Sequence, residues 1–340
     1  MTDVSSIGPQ WPPCITSHGR VKGIDTRGAI LDSRRLDRFL DEIQAVWREQ
    51  VEPDDQAADR LSVRALIADP LLGDERLARW GEALIPLDGA GDDVDGLSLV
   101  YLGRNTAARR SDETDIERSF EHLAIAESRE VRSAASVRAR MVEEGFSQSI
   151  LGHAERHGDA DVLAGVAALY DRFGWNLDEV RDILAADDSL IAVGRSTRGT
   201  IVSAGIAEMS HLRFDDGREL RIAEFTEAAT RDDQRAKGLY SGLCTMLMDE
   251  LARLSRAGEF LGGALDVAFG ESSGHDIGIM IAARNLGRTF SRHVGKARGL
   301  SFRGFLPQHV PIAGAPRSTP YNDLFPTFLT LADLYAFVES

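Results

Sequence analysis

The chain has 340 residues, of which 43% are hydrophobic and 27% are charged, a balance typical of a globular protein with one large or two ordinary domains. Its formal net charge of −15 argues against a nucleic-acid partner bound by the whole surface. Two cysteines are too few for a disulfide framework or a cysteine metal site. No apolar run approaches the ~20 residues of a membrane helix, and the first residues lack the features of a secretory signal, so we expect a cytoplasmic protein with no membrane partner.

The first 150 residues predict a small α/β unit. Residues 1–30 are rich in Gly, Pro and Ser and are expected to be irregular. The predicted helices cover residues 35–50, 60–70, 75–84 and 130–145, and the predicted strands cover residues 98–103, 120–127 and 147–154. We therefore divide the chain into an irregular segment 1–30, an N-terminal α/β domain 31–150, a second domain 151–316 and a C-terminal extension 317–340.

The second half shows a regular order of helices and strands. Two predicted helices, residues 160–174 and 176–187, precede three predicted strands, residues 189–196, 200–214 and 219–230. A helix over residues 239–254, a strand over 263–271, a helix over 275–287 and a strand over 288–294 follow. This order predicts an α/β fold with a mixed central sheet flanked by helices.

An elaborate polar loop, TRDDQRAKG (residues 230–238), joins the third of these strands to the next helix. A helix N-terminus has free N–H groups and a partial positive charge, so it receives an anionic phosphate well. Gly238 keeps side chains away from such a ligand, and Arg235 and Lys237 add positive charge beside it. The loop therefore indicates a phosphate site. The alternative is an ordinary glycine at a helix start, with solvated charges.

The segment RAKGLY within this loop resembles the acetyl-CoA pyrophosphate loop of the GNAT superfamily of N-acetyltransferases. That pattern is Arg or Gln, two residues, Gly, one residue, then Gly or Ala. Arg235 and Gly238 match it, and Tyr240 stands where a small residue is usual. The resemblance extends over the helix and strand order of about residues 150–305. It implies a GNAT-type mixed sheet, preceded by a smaller α/β domain that could be a degenerate half of the same fold.

The same resemblance implies a donor and its binding residues. The donor is acetyl-CoA, bound by Ala228, Ala229, Thr230, Arg235, Ala236, Lys237, Gly238, Leu239, Tyr240 and Ser241. Backbone N–H groups of the strand that ends at Thr230 would pair with the pantetheine much as a neighbouring strand would.

A closer resemblance is to the β-lysine N-acetyltransferase-like branch, which has an AE-x-T-[DE]-x-AT strand. The matching positions are Ala223, Glu224, Thr226, Glu227, Ala229 and Thr230. The branch also has a glycine–glutamate pair, a Gly-Met-Asn step and a Leu-Gly turn, matched in part by Gly270, Glu271, Gly278, Leu286 and Gly287. The asparagine of that step is replaced by Ile279 or Met280, so we do not predict β-lysine as the substrate.

Acyl transfer to an amine needs a base, because an ammonium ion has no lone pair to attack a thioester. The resemblance implies a glutamate base in the frame of Glu224. Glu227 lies on the opposite face of an alternating strand and ranks second, and Glu271 is a third candidate catalytic residue. Each glutamate could instead form a structural ion pair.

Two further features of the site follow from the sequence. Many GNAT relatives have a tyrosine that protonates the leaving thiolate, and Ala283 stands at its place here; Tyr240, His275 and Tyr321 are the alternatives. The histidines show no metal-ligand spacing with cysteines or carboxylates, so we expect no metal cofactor.

Together these features predict an N-acetyltransferase of biosynthesis that acts directly on a small amine or amino-acid-like metabolite. From residue 277 to 322 the chain has seven basic residues and no Asp or Glu, and this basic segment would attract the nucleotide phosphates or an anionic acceptor. Two alternatives stay open. The donor could be an acyl-carrier protein docked on the basic segment, or the chain could be a catalytically silent GNAT-fold module with a binding or regulatory role.

Overall fold

Two mixed β-sheets form the framework of the protein, in a computed structural model that describes residues 10–15, 20–53, 58–91, 93–109, 112–171, 177–311 and 321–340. The smaller sheet has the strand order β1-β2-β3-β5-β4. Its strands are β1 (Cys14–Ile15), β2 (Arg20–Ile30), β3 (Arg60–Ala68), β4 (Gly81–Pro86) and β5 (Leu97–Asn105). The helices of this half of the chain are α1 (Ser33–Gln50), α2 (Glu75–Ala78), α3 (Glu113–Glu127) and α4 (Ala134–Glu143).

The larger sheet has eight strands among the described residues, in the order β11-β13-β10-β9-β8-β7-β6, with β12 paired to β13. These strands are β6 (Ser147–Ile150), β7 (Ser189–Arg195), β8 (Ile201–Arg213), β9 (Glu219–Thr230), β10 (Val267–Ser273), β11 (Thr289–Phe290), β12 (Leu306–Pro311) and β13 (Tyr321–Thr330). The helices are α5 (His153–Gly158), α6 (Ala160–Tyr170), α7 (Leu177–Ala185), α8 (Leu239–Arg256), α9 (Ile277–Asn285), α10 (Ser291–Ala297) and α11 (Leu331–Val338). Strands β9 and β10 are parallel neighbours.

The smaller sheet packs against one face of the larger sheet. Ile24 and Leu66 of the smaller sheet share one buried cluster with Ile222 and Phe269 of the larger sheet. Helices α6 and α7 cover the β7–β8 end of that same face, and helices α8 and α11 cover the opposite face. Burial of this apolar surface stabilises the arrangement of the two sheets. The smaller sheet therefore faces those side chains of β9 that point out of this face of the larger sheet.

The predicted fold class, an α/β fold with a mixed central sheet flanked by helices and a smaller α/β unit, is confirmed. The structure contains the strands predicted over residues 189–196, 200–214 and 219–230 as β7, β8 and β9. It also contains the helices predicted over residues 239–254 and 275–287, as α8 and α9. Within the part of the chain that the structure describes, no helix is both long and apolar enough to cross a membrane.

The start of the chain differs from the prediction. Residues 20–30, expected to be irregular, form β2, and residues 60–70, expected to be helical, form β3 and the turn after it. Both strands are buried on both faces, because α1 covers one face and the larger sheet covers the other. Charged residues such as Arg60 and Arg64 are buried on the second face, so the alternation that marks a half-exposed strand is missing from the sequence.

Three other predicted elements are wrong. Residues 120–127, predicted as a strand, belong to helix α3, whose Leu123 and Ala126 pack with α9. The helix predicted over residues 75–84 is only the short α2, and β4 follows it. The strand predicted over residues 288–294 is the two-residue β11 followed by helix α10. Short apolar runs support either state, and tertiary contacts decided these cases. Residues 321–330, placed by the sequence in a C-terminal extension, form β13 between β10 and β11.

Candidate functional site

A gap opens between the parallel strands β9 and β10. They pair from Val267 opposite Ile222 to Gly270 opposite Phe225, and the pairing ends there. Beyond this point β9 continues to Thr230 along β8, and β10 continues to Ser273 along β13. The facing backbone edges of the two strands are thus left for another partner. We call the point where the pairing ends, between Phe225 and Gly270, the apex of the gap.

A β-bulge in β9 lies just beyond the apex. Thr226 is opposite Ile206 and Ala229 is opposite Ala204, so two residues of β9 face the single Gly205 of β8. The alternation expected from Glu224 to Thr230 is therefore interrupted. A bulge bends its strand and increases the local twist, which accounts for the separation of β9 from β10 at this point.

The loop after β9 presents the N-terminus of α8 at the open end of the gap. Gly238 is the N-cap of α8 and has φ 85°, a left-handed conformation that strains other residues. The N–H of Gly242 bonds to the carbonyl of Gly238 at 2.9 Å, so the N–H groups of Leu239, Tyr240 and Ser241 precede the first bond within the helix. The predicted glycine at the helix start is thus required by backbone conformation, and the helix end is suited to an anion.

The cations of this loop are held by neighbouring side chains. Arg235 pairs through Nε with Asp232 at 2.9 Å, and its side chain is 54% exposed. Lys237 donates to Gln234 at 2.9 Å. Ala236, with φ 63°, accepts a hydrogen bond from Arg140 of α4 at 3.0 Å. Both predicted cations therefore lie at the helix start, and Arg235 is exposed enough to exchange its carboxylate for another anion.

Two of the three candidate glutamates lie together at the apex. Glu224, which is 4% exposed, and Glu271 point towards the smaller sheet from neighbouring strands. Arg64 of β3 bridges them: its Nη2 donates to Glu271 Oε1 at 2.8 Å, and its Nη1 lies 3.9 Å from Glu224 Oε2. The side chain of Glu227 lies outside the described residues. The sequence proposed Glu224 and Glu271 without Arg64, which comes from a segment that was expected to be helical.

On the opposite side of the apex lies Arg288, a residue that the sequence analysis did not single out for this site. It is 1% exposed, and its guanidinium lies 4.5 Å from the centre of the Phe225 ring. A Cβ at Gly270 would stand 2.5 Å from Arg288 Nη2, so the glycine makes room for the guanidinium. Arg288 forms no ion pair with any described residue, and its buried Nε and Nη2 have no hydrogen-bond partner there.

Tyr240, which stands where a small residue was expected, lies close to this cation. Its hydroxyl lies close to Arg288 and Cys244, and burial raises the pKa of that hydroxyl well above its ordinary value, with Cys244 adding to the rise and Arg288 opposing it. Burial also raises the pKa of the Cys244 thiol. The large, half-buried residue at this position thus extends from α8 towards the buried Arg288.

The basic segment 277–322 does not form one free surface among its described residues. Arg288 is buried, and Arg298 pairs with Asp69 at 2.7 Å and with Asp88 at 2.5 Å. Arg303 lies 3.8 Å from Glu82, and Arg292 stacks on the ring of Phe120. Residue 317 lies outside the described residues. Acidic residues from the first hundred positions therefore lie close to two of the seven basic residues of this segment, Arg298 and Arg303.

Two histidines lie closer to a carboxylate than the sequence indicated. His153 and His157 are both in α5, and their ligand atoms lie with that of Asp187 within 4.8 Å of one another. All three residues are exposed. Exposed clusters of this kind are common without an ion, and this one lies on a different element from the gap.

A buried polar layer lies between the two sheets next to the glutamates. We define it as Arg20, Lys22, Arg60, Arg64, Tyr101, Glu224, Glu271 and His309. Arg60 donates to Glu82 at 2.5 Å and to Asn105 at 2.5 Å. Burial lowers the pKa of Lys22 to about 8, and the charges of Arg64 and Arg20 act in the same direction.

The pKa of Lys22 predicts a pH dependence of stability. Because its folded pKa of about 8 lies below its ordinary value of 10.5, the unfolded chain holds a proton that the folded chain has lost between these values. The free energy of unfolding should therefore rise as the pH increases from 8 to 10, by roughly 2 kcal/mol from this group. Urea unfolding of the wild type and of Lys22→Met at several pH values measures the difference. Parallel pH profiles for the two proteins would contradict the prediction.

About half of the chain is similar in fold to solved structures of other proteins. No protein-family model matches it, and no curated protein does. Among solved structures, the ribosomal-protein-S18-alanine N-acetyltransferase from Escherichia coli matches 55% of this chain and 94% of its own, at 14% identity and a TM-score of 0.37. Arabidopsis thaliana NAA60 in complex with acetyl-CoA matches 55% of this chain and 99% of its own, at 8% identity and a TM-score of 0.39.

A further match is the GNAT superfamily phosphinothricin acetyltransferase from Sinorhizobium meliloti, in complex with acetyl-CoA. It matches 55% of this chain and 88% of its own, at 12% identity and a TM-score of 0.37. Two of these three proteins are named as acetyltransferases, and two of the three structures contain acetyl-CoA. At such low identities and TM-scores, the function of this chain has to be inferred from the geometry of its own site.

Proposed function

We propose that the chain is an acyl-CoA-dependent N-acyltransferase that uses acetyl-CoA and acetylates a small amine. The observation that supports this most is the gap between β9 and β10, which leads from the apex to the N-terminus of α8. Such a gap offers backbone edges for an extended chain and a helix N-terminus for its phosphates. Pantetheine pyrophosphate is a ligand with that shape and charge.

In this proposal the donor lies along the gap. The N–H groups at the start of α8 and the side chain of Arg235 bind the pyrophosphate. Backbone groups of Ala228 to Thr230 pair with the pantetheine amides, in the place that a further strand would take. The thioester then reaches the apex, between the carboxylates on one side and Arg288 on the other.

Glu224 is the proposed base. The protonated amine of the acceptor transfers a proton to the Glu224 carboxylate, and the free amine nitrogen attacks the thioester carbonyl carbon. The C–N bond forms, the C–S bond breaks, and the sulfur leaves with the electron pair as a thiolate. The nitrogen then loses its second proton to this thiolate, which gives the amide and the free thiol. Arg64 lies beside the carboxylate, with its Nη1 3.9 Å from Glu224 Oε2.

Arg288 is the proposed electrostatic partner of the reacting thioester. Negative charge develops on the carbonyl oxygen and then on the sulfur, and a buried cation that faces this charge stabilises it strongly. Tyr240 is a poor proton donor for the thiolate, because burial raises the pKa of its hydroxyl. The cation would thus stabilise the leaving thiolate, for which the sequence offered Tyr240, His275 or Tyr321 as the proton donor.

Calorimetry and a thiol assay test the function together. Purified protein should bind acetyl-CoA and should release free thiol when a small primary amine is added. Acyl-carrier proteins offered as donors at low and high salt test the carrier alternative, because steering by exposed charges weakens with salt. Efficient transfer from the carrier alone would replace acetyl-CoA as the donor. Binding of acetyl-CoA without thiol release from any amine would favour the silent module.

Gly238→Asp tests the proposed phosphate site. The substitution adds a negative charge at the helix start and strains a position with φ 85°, so we expect acetyl-CoA affinity to fall by more than ~2 kcal/mol. Gly217→Asp is the matched control, because Gly217 has φ 87° and open space around it in a turn between β8 and β9. Equal calorimetric affinities of the folded Gly238→Asp protein and the wild type would exclude this site.

A further inference from the structure

Arg20, in the polar layer between the two sheets, is a buried cation without a counter-ion among the described residues. It is 7% exposed, and its buried Nε has no hydrogen-bond partner there. The other arginines of the layer differ, since Arg60 pairs with Glu82 and Arg64 pairs with Glu271. A buried charge without a partner destabilises a fold, so its presence indicates a role other than stability.

The lowered pKa values of Arg20 and His309 indicate a positive electrostatic potential around Arg20. Burial lowers the pKa of Arg20 to about 10; the charge of Glu271 opposes this, while Arg60, Arg109 and Arg64 add to it. Burial, followed by the charges of Arg20 and three other cations, lowers the pKa of His309 well below its ordinary value. His309 is therefore neutral at pH 7, and its buried Nδ1 has no hydrogen-bond partner among the described residues. The hydroxyl of Tyr101 also has none there.

An open cleft of about 530 Å³ reaches the edge of this layer. Its lining includes Asn105, Arg109, Phe305 and Pro307. Asn105 and the carbonyl of Pro307 both accept hydrogen bonds from Arg60, so the cleft ends at the polar layer. The cleft thus borders the hydrogen-bond partners of Arg60.

We propose that the smaller sheet forms the acceptor site, and that Arg20 binds an anionic group, a carboxylate or a phosphate, carried by the amine that is acetylated. This proposal rests on the proposed function and names its class of acceptor. The anion lies against the guanidinium of Arg20. The amine lies at the other end of the acceptor, next to Glu224. The two sheets thus hold the two ends of one small molecule.

Matched pairs of acceptors test this assignment. β-Alanine is compared with β-alaninamide, and phosphoethanolamine is compared with ethanolamine, with thiol release from acetyl-CoA as the readout. One anionic acceptor should exceed its neutral partner in kcat/KM by about tenfold or more, as expected for a charge-assisted hydrogen bond. The pair that shows the preference distinguishes a carboxylate from a phosphate.

Arg20→Met should abolish that preference by raising KM for the anionic acceptor about ten- to hundredfold, with kcat and the neutral acceptor nearly unchanged. Arg20→Lys should recover part of it. The melting temperature of Arg20→Met should equal or exceed that of the wild type, because an unpaired buried charge is removed. Arg104→Met is the control; Arg104 is exposed on β5 and stacks on Trp47.

Three results would overturn the inference. The first is an active enzyme that does not prefer either anionic acceptor. The second is an Arg20→Met protein that loses activity equally with charged and neutral acceptors. The third concerns the rise in melting temperature when inorganic phosphate or acetate is added. If neither anion gives a larger rise for the wild type than for Arg20→Met, the inference is wrong. This last measurement needs no acyl donor, so it decides the anion site even if acetyl-CoA does not bind and the proposed function fails.

Discussion

Glu224→Gln should lower kcat by ~10²–10⁴-fold while calorimetric affinity for acetyl-CoA stays the same. The amide keeps the shape of the side chain and cannot accept the proton of the ammonium ion. Part of the rate should return as the pH rises, because more of the amine is then neutral in solution. The fold should tolerate the change, since Arg64 keeps its partner Glu271 at 2.8 Å.

Glu271→Gln and Glu227→Gln are the comparisons that make this assignment specific. Glu271 lies on the same face of the sheet as Glu224 and shares Arg64 with it. Because Glu224 is the proposed base, Glu271→Gln should lower kcat less than Glu224→Gln does. If Glu271→Gln shows the large loss of kcat with recovery at high pH and Glu224→Gln does not, Glu271 is the base. If only Glu227→Gln shows it, the order of candidates from the sequence is wrong.

Arg288→Met should lower kcat by ~10²–10³-fold, the loss that follows removal of one preorganised donor to a developing negative charge. Affinity for acetyl-CoA should change little, because the pyrophosphate lies at the other end of the gap. The melting temperature should stay the same or rise, since Arg288 forms no ion pair with any described residue. Steady-state kinetics and thermal unfolding of the same preparation measure both effects.

Arg284→Met is the matched control for Arg288→Met. Arg284 lies one helical turn earlier in the chain, is partly exposed on α9 and donates through Nε to the carbonyl of Arg129. Its loss should leave kcat unchanged. An Arg288→Met protein that is folded, binds acetyl-CoA and turns over at the wild-type rate would show that the guanidinium only fills space beside Gly270.

Part of this site could be predicted from local sequence patterns. The order of helices and strands in the second half, the loop before α8 and the glycine at its start depend on periodicity and backbone conformation, which are properties of consecutive residues. Glu224 was proposed as the base because the strand AEFTEAAT resembles the central strand of a known superfamily. The bulge after it was not predicted, because a bulge depends on the register with β8.

Which residues surround the candidate catalytic glutamates depends on the tertiary structure. Arg64 and Glu271 are 207 positions apart and meet only because the smaller sheet packs on the larger one. Strands β2 and β3 were missed since burial on both faces removes the alternation of apolar and polar residues that marks a strand. Arg20 and Arg288 look like ordinary surface arginines in the sequence. Their burial without a carboxylate partner among the described residues is visible only in the fold, because it depends on which distant segments cover each side chain.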